Sequence, residues 1–527
     1  MKQQTLKQGR MVLGFVLLGL ITPVHSQPAG DFAMSVSGTI HTIALQPDGK
    51  ILVKGSFQFL GGQPCKNFTR LNQDGTVDGT FNPTALVYSA FADCLAVHED
   101  GKLLVGGQLY PSQIVLLNSD GSWDKSLTNS PPASQVFAII EQADGKILTR
   151  NDHPVVQRFN PDGSRDTTFN PPTSSGWFDG LDEYVLGLQP NGEILLAGRA
   201  ALVGQSALAR LQPNGSLDTS FNPAAGGGYC LALQPDGRLL VGGGGLVRLN
   251  PDGSLDNSFN QPVVGMGRNR LVTGLVLQTD GKILVSGTFT NLGGQACTNF
   301  GRLNPDATLD TTFPSATYDV VDCLLLQPDG KLVFRAKVPT GPSGWPEILV
   351  RMTNPEPATQ SLTKDGSTIT WLRGGSSPEV WRTSFQFSTN GMDWTELGGG
   401  TRIMGGWQLT GLSLPPNCSV RARGYVVGAP NTDPPTDFGA SSWFVQSQTT
   451  APGIHNIHIA TESLAMSPAG FRFTVAGPIG RQVVIAASTD FKHWIDISTN
   501  LLETGVFQFN DPTTSTDRVR YYRPRLQ

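Results

Sequence analysis

Charge is scarce in this chain: Asp, Glu, Lys and Arg make up 15% of its 527 residues, against roughly 25% in an average soluble domain. Set beside 62 glycines and 37 prolines, that shortage points to sheets joined by tight turns and away from helices. Histidine is rarer still. The chain has no His-Glu-x-x-His pair, no Cys/His zinc spacing and no Gly-x-Ser-x-Gly elbow, so no common catalytic motif is present. His455 and His458 lie three apart in an extended segment, where they would face opposite sides. Basic charge is not in excess either, at a net of −4, which argues against nucleic acid as a partner. Only one long apolar run occurs, Met11 to Ile21. It follows Lys2, Lys7 and Arg10 and precedes Val24-His25-Ser26, so residues 1–26 read as a signal peptide of a secreted or cell-surface protein. The run is too short for a transmembrane span, and its removal would leave the chain three charges more acidic.

What is abundant is repetition. Between Asp31 and Pro355 an apolar strand, a Pro-Asp-Gly-Lys-type turn, a second strand and an Arg-Leu-Asn-Pro-Asp-Gly-Ser-Leu-Asp segment ending in Phe recur seven times. The turn glycines are Gly49, Gly101, Gly145, Gly192, Gly237, Gly281 and Gly330. A period near 45 with four short strands per unit is the signature of a β-propeller. In the unit starting at Cys230 the strands read 230–234, 238–242, 246–250 and the segment carrying Phe259. Each turn needs a residue with positive φ, so Ala307, which replaces the glycine of its turn, should be strained. The seventh unit stops after Thr353 without its Phe strand, whereas Asp31-Phe32 precedes Gln46 at the spacing by which Phe313 precedes Gln327. The N-terminal segment should therefore supply the outer strand of the last blade and remove two open sheet edges.

The repeated "LQPDGKILV…RLNPDGSLDTSFNP" resembles the delta-60 repeat family of secreted bacterial proteins, over about 325 residues. The resemblance implies a seven-bladed propeller over 27–355 and brings no catalytic set with it. Beyond Pro355, with Pro355, Pro357 and Thr359 as an expected linker, a second β unit spans 356–450. Its "GLSLPPNCSVRARGYVVG" resembles the fibronectin type III pattern, with Cys418 where that pattern places a tyrosine. A third unit, 451–527, is similar to small C-terminal sandwich modules of exported bacterial proteins. Ser388-Thr389 precede Trp394 as Ser488-Thr489 precede Trp494, and both read as hairpins delivering a Trp to the core. The expected fold is all-β: a seven-bladed propeller followed by two small β-sandwiches.

Repeated polar residues read as framework. Arg70, Arg158, Arg210, Arg248, Arg302 and Arg351 recur in the third strand, and Asp78, Asp124, Asp166, Asp218, Asp256 and Asp310 recur after the second turn. Each Arg should be tied to a carboxylate or to turn carbonyls; blade two has Leu116 instead. Cys94, Cys230 and Cys323 share one slot in different blades and Cys65 and Cys297 another, so buried free thiols are expected. The Asn250, Asp252, Asp256 set is a thinned calcium loop without the alternating acids a hard cation needs. No metal and no cofactor is expected.

Recognition is expected on the face that collects the long loops 59–67, 110–113, 171–184, 260–269, 291–299 and 338–346, the other face being all tight turns. Tyr110, Trp177, Phe178, Tyr184 and Trp345, with Asn291 and Gln295 as polar company, are the candidate ligand residues. Aromatic platforms beside amides suit a glycan or an extended peptide. The sequence thus reads as a monomeric, non-catalytic binding or adhesion scaffold. A carbohydrate-active hydrolase or lyase on the propeller and a purely structural extracellular module are the alternatives.

Overall fold

The computed structural model describes residues 31–526 except 84–91, 108, 110–113, 128–134, 152–155, 173–181, 200–207, 224–227, 260–262, 265–271, 315–317, 339–345, 390, 392, 416–417, 428–441, 450–457, 468–469, 477–481, 490–492, 503–505 and 512–520. All its regular elements are β-strands. Seven antiparallel sheets form the propeller. Their inner strands are the second half of Phe32–Leu45, then Ala92–Val97, Val136–Glu141, Asp182–Leu188, Gly228–Leu233, Val272–Leu277 and Val320–Leu326. Each inner strand packs against the next, and the seventh packs against the first, so the ring is closed.

Closure is achieved as the spacing predicts. The first half of Phe32–Leu45 pairs with Glu347–Met352 of the seventh blade, Phe32 opposite Arg351, and the same strand continues as the inner strand of blade one. Asp31 reinforces the joint by accepting hydrogen bonds from Thr353 N at 2.8 Å and Thr353 Oγ1 at 2.9 Å. Ala307 does sit at φ 75, the conformation its neighbours reserve for glycine.

The fourth strands depart from expectation. In blades one, three, four, five and six the outer strand shrinks to one bridge, such as Leu71 to Val77 and Leu249 to Leu255. The cause is the Asp that follows. Asp78 Oδ1 accepts from Thr80 N and Thr80 Oγ1, and Phe81 N closes onto the Asp78 carbonyl at 3.2 Å, bending the chain out of the sheet.

The bend places each Phe over its Arg. Arg158 lies 4.6 Å from the Phe169 ring, gives Nε to Asp166 at 2.7 Å and Nη1 to the Pro213 carbonyl of the next blade at 2.6 Å. Arg70, Arg210 and Arg302 reach the next blade in the same way, through Ser119, Pro251 and Asn354. Arg351 stacks on Phe32 and bonds the Gln73 carbonyl, carrying the staple across the seam. The arginines are framework. So are the thiols: all six cysteines are free, and Cys94, Cys230 and Cys323 point at Val136, Val272 and His41 carbonyls of the following blade.

Two four-stranded sheets follow. One joins Ala358–Lys364, Ile369–Gly375, Gly406–Leu409 and Thr401–Ile403; the other joins Thr395–Gly398, Arg382–Ser388, Ser419–Val427 and Ser442–Thr449. Trp371, Phe385, Val420 and Ala422 are buried between them. The expected linker is not slack: Thr359 lies in the strand Ala358–Lys364, and Glu356 is pinned to blade six by Lys282 at 2.7 Å and Arg302 at 2.6 Å. The last unit has two three-stranded sheets around Phe473, Val475, Val483 and Ile485. Its hairpin repeats that of the second unit, with a bulge at Ile485/Ala486 where the other has one at Phe385/Gln386. Neither Trp is delivered to the core. Trp394 and Trp494 are half-buried under Arg421 and Arg523, at 4.1 and 4.4 Å, because the bulge turns the hairpin toward an arginine on the neighbouring strand.

Candidate functional site: the uncapped end of the ring

Among the described residues, one end of the propeller is covered by the second unit and the other is not. At the tight-turn end the second unit is docked onto the ring. Glu379 N donates to the Leu277 carbonyl at 2.8 Å, and Thr279 N to the Ser377 carbonyl at 2.9 Å. Ser442 bridges Ala96 and gives its hydroxyl to the Ile139 carbonyl, and Arg423 pairs with Glu99 at 3.0 Å. Trp381 and Val427 pack with Ala138, Leu186 and Leu188. This end is therefore an internal interface.

The inner strands approach the other end through bulges. Every one of the seven shifts register in or beside the same slot, at Ile40/Thr42, Ala92/Cys94, opposite Arg150/Asn151, then Asp182/Tyr184, Gly228/Cys230, Val272/Gly274 and Asp322/Leu325. Bulges re-aim side chains at barrel and ring mouths. Here they leave His41, Phe137, Tyr229 and Thr273 as the extra residues, all buried.

Beneath this end lies a group of charges that breaks the repeat. The fourth residue of the second strand is Gly106, Ala197, Gly242 or Ser286 in four blades, but Lys54, Arg150 and Arg335 in blades one, three and seven. All three cations are buried. Arg335 gives Nε to Asp322 Oδ1 at 2.5 Å, and Nη1 to Glu347 Oε2 at 3.5 Å and to the Ile40 carbonyl at 3.3 Å. Glu347 Oε1 in turn accepts Ile40 N at 2.6 Å, so this ionic group ties blade seven to blade one. Burial pushes the Glu347 carboxyl up to about 7 despite Arg335, while burial, Lys54 and Arg335 together hold the His41 imidazole down at about 4. Both carboxylates serve Arg335 within one blade. The repeat itself carried the signal for these residues, a charged side chain in a slot otherwise kept small.

Of the candidate ligand residues, Tyr110, Trp177, Phe178 and Trp345 lie outside the described residues, and Tyr184 is described only as part of Asp182–Leu188. Asn291 and Gln295 belong to a small hairpin, Asn291–Leu292 with Gln295–Ala296, that folds back along the outside of blade six instead of rising from the face. Its Leu292 and Cys297 are buried with Leu303, and Gly293 lies so close that an added Cβ would stand 2.4 Å from Leu309 N. Burying those two apolar side chains draws the hairpin down. The loop 59–67 does the same against the closing strand, with Gly61 N bonded to the Ser35 carbonyl at 2.9 Å. Among the described residues no three metal-binding side chains are grouped, and no helix is long and apolar enough to cross a membrane.

A closed ring of blades with bulged inner strands is a β-propeller, and comparison with known proteins places it in the same class. Residues 46–81, 142–169, 189–221, 234–259 and 278–313 match the family model described as a β-propeller domain of unknown function, DUF5122. A search of curated proteins finds no match. Among solved structures the chain is similar to PorZ, an essential surface component of the type-IX secretion system of Porphyromonas gingivalis, at 12% identity over 79% of this chain and 57% of that one, TM-score 0.36. This chain thus spans little more than half of that relative. It is also similar to YCF48 bound to D1 peptide, at 14% identity over 62% of this chain and 100% of that one, TM-score 0.34. A third is the GH74 xyloglucanase of Xanthomonas campestris, at 11% identity over 85% and 59%, TM-score 0.25.

Proposed function

We propose that the chain is an exported, non-catalytic binding module that holds a glycan or peptide at the uncapped end of its propeller. The observation that carries this reading is the asymmetry of the ring: one end is consumed by the second unit, so the other is the end left for a partner. Variable loops on a rigid frame are the usual seat of recognition. The leader-like residues 1–26, the delta-60 likeness of the propeller at 27–355, the fibronectin type III likeness of 356–450 and the sandwich at 451–527 support an extracellular multi-unit protein, which on this reading works as a monomer.

The test is direct. The full mature chain is applied to glycan and peptide arrays, and any hit is measured again with W177A/W345A. The expected result is a saturable ligand whose affinity falls at least tenfold in the double variant, since a stacked aromatic contributes roughly 1–3 kcal/mol. Undiminished binding would move the site elsewhere. Turnover of a polysaccharide by the chain would replace the reading with an enzymatic one.

A further inference from the structure

At the capped end, where the turns of blades one and two face the strand Ser419–Val427 of the second unit, a cleft of about 440 Å³ opens between Lys50, Asp100 and Asp120 on the ring and Arg421, Arg423 and Gln446 on the second unit. Most of its charges are matched. Lys50 reaches Asp78 at 2.8 Å, Asp100 is met by His98 at 2.8 Å and Lys102 at 3.5 Å, and Arg423 is held by Glu99 at 3.0 Å and Gln446 at 3.1 Å. Arg421 and Asp120 differ. The Arg421 guanidinium lies 4.1 Å from the Trp394 ring and gives Nε to Gln386 Oε1, the residue opposite it on the neighbouring strand. Its Nη1 and Nη2 meet no acceptor among the described residues, and neither is shut off from solvent. On the ring side Asp120 is exposed and set by its turn, in which Gly121 takes φ 88. Its Oδ1 accepts Ser122 N at 2.9 Å and Ser122 Oγ at 2.7 Å, which leaves Oδ2 facing no cation among the described residues.

Both groups are ionised at neutral pH. Burial and the adjacent Arg423 draw the Arg421 side chain down to about 10, with Glu99 and Glu396 acting against them, and the two bonds from Ser122 hold the Asp120 carboxyl below its ordinary range. An arginine whose stem and face are already fixed presents its fork to a carboxylate with little further ordering to lose. A carboxylate oxygen with an open side suits an ammonium group. A polyanion would meet Asp48, Asp100 and Asp120 as like charges, and a plain cation would meet Arg421 and Arg423 in the same way. The complement of this cleft is a molecule with one charge of each sign, and its volume lies within the usual range of small-ligand pockets, roughly 300–1,000 Å³.

We propose that this cleft is a second ligand site, which takes a zwitterion of the amino-acid type, a short peptide or a free amino acid, with Arg421 binding the carboxylate and Asp120 the ammonium group. The site is separate from the uncapped end and does not depend on what binds there.

The probe is trialanine, titrated into the full chain at neutral pH and followed by saturation-transfer NMR, beside trialanine amide, which lacks the carboxylate, N-acetyl-trialanine, which lacks the ammonium group, and alanine. Trialanine should saturate. Amidation should weaken it roughly 10- to 100-fold, the loss of a charge-assisted hydrogen bond, and acetylation roughly two- to fivefold, because Asp120 is exposed. R421M should abolish the preference for trialanine over its amide and keep that over the acetylated form, and D120N should do the reverse. D120N alters one exposed side chain, so it carries the test even if R421M misfolds. Alanine binding more weakly than trialanine assigns the site to peptides and alanine binding as tightly assigns it to amino acids, the two contacts being upheld either way. No saturation by trialanine, equal affinities for trialanine and its two blocked forms, or a preference unchanged in the variant meant to remove it would overturn the proposal.

Discussion

Blade three offers a clean measurement of what one interblade staple contributes. Arg158 and Asp166 are both buried, 2.7 Å apart, with Phe169 beneath the guanidinium and the Pro213 carbonyl of blade four beyond it. Replacing Arg158 by Met keeps the length of the side chain and removes the charge. Breaking a buried pair costs about 3–5 kcal/mol, and the loss should sit near the lower figure because Lys146 approaches the same Asp166 oxygen at 3.0 Å. D166N leaves Arg158 stacked on Phe169 and bonded to Pro213. In a double-mutant cycle the pair should therefore show a coupling of about 2 kcal/mol, well above the 0.2–1 kcal/mol of exposed pairs. Urea unfolding followed by circular dichroism gives the four free energies, and calorimetry checks that each transition is two-state. A coupling at or below about 0.5 kcal/mol would refute the argument that these arginines hold the ring. Blade two is a natural control. There Leu116 replaces Arg and Leu127 replaces Phe, while Asp124 is served by Lys102 at 3.0 Å, so D124N should cost less than D166N.

The closing strand makes a second prediction: F32A/D31A removes the ring over Arg351 and both bonds to Thr353, and should speed limited proteolysis near the N-terminus before global unfolding. A307G should stabilise by roughly 1 kcal/mol in thermal melts, since glycine accepts the positive φ of that turn at no steric cost. Glu347 is easier to deprotonate unfolded than folded, so it subtracts stability as pH rises from about 4.5 toward 7, whereas His41 acts in the opposite sense between about 4 and 6.5. Melting temperatures of E347Q should accordingly fall less than those of the parent over pH 5 to 7, and a steeper fall would contradict the assignment.

The repeat made the framework readable. Turn glycines, Arg, Asp and Phe each recur at fixed offsets, and the place where the pattern broke off at Thr353 and resumed at Asp31 located the seam. The fourth strands were overread because the Asp that bends them looks the same in a strand and in a turn. The hairpins within 59–67 and 291–299 fold against their blades, and the repeat carried a sign of this. Leu60-Gly61-Gly62-Gln63 and Leu292-Gly293-Gly294-Gln295 match one another, which points to a shared hairpin. Docking of the second unit could not be read at all. Trp381 and Val427 are ordinary apolar residues in sequence, and only the folded ring gives them Leu186 and Leu188 to meet.

Among the described residues, Trp381 and its neighbours lie over the inner strands of blades three to six on one side of the wheel. On the proposed reading, a partner held at the uncapped end would dock and depart by the same doorway, so a long polymer would have to offer a terminus or a bend, or else lie across the threshold.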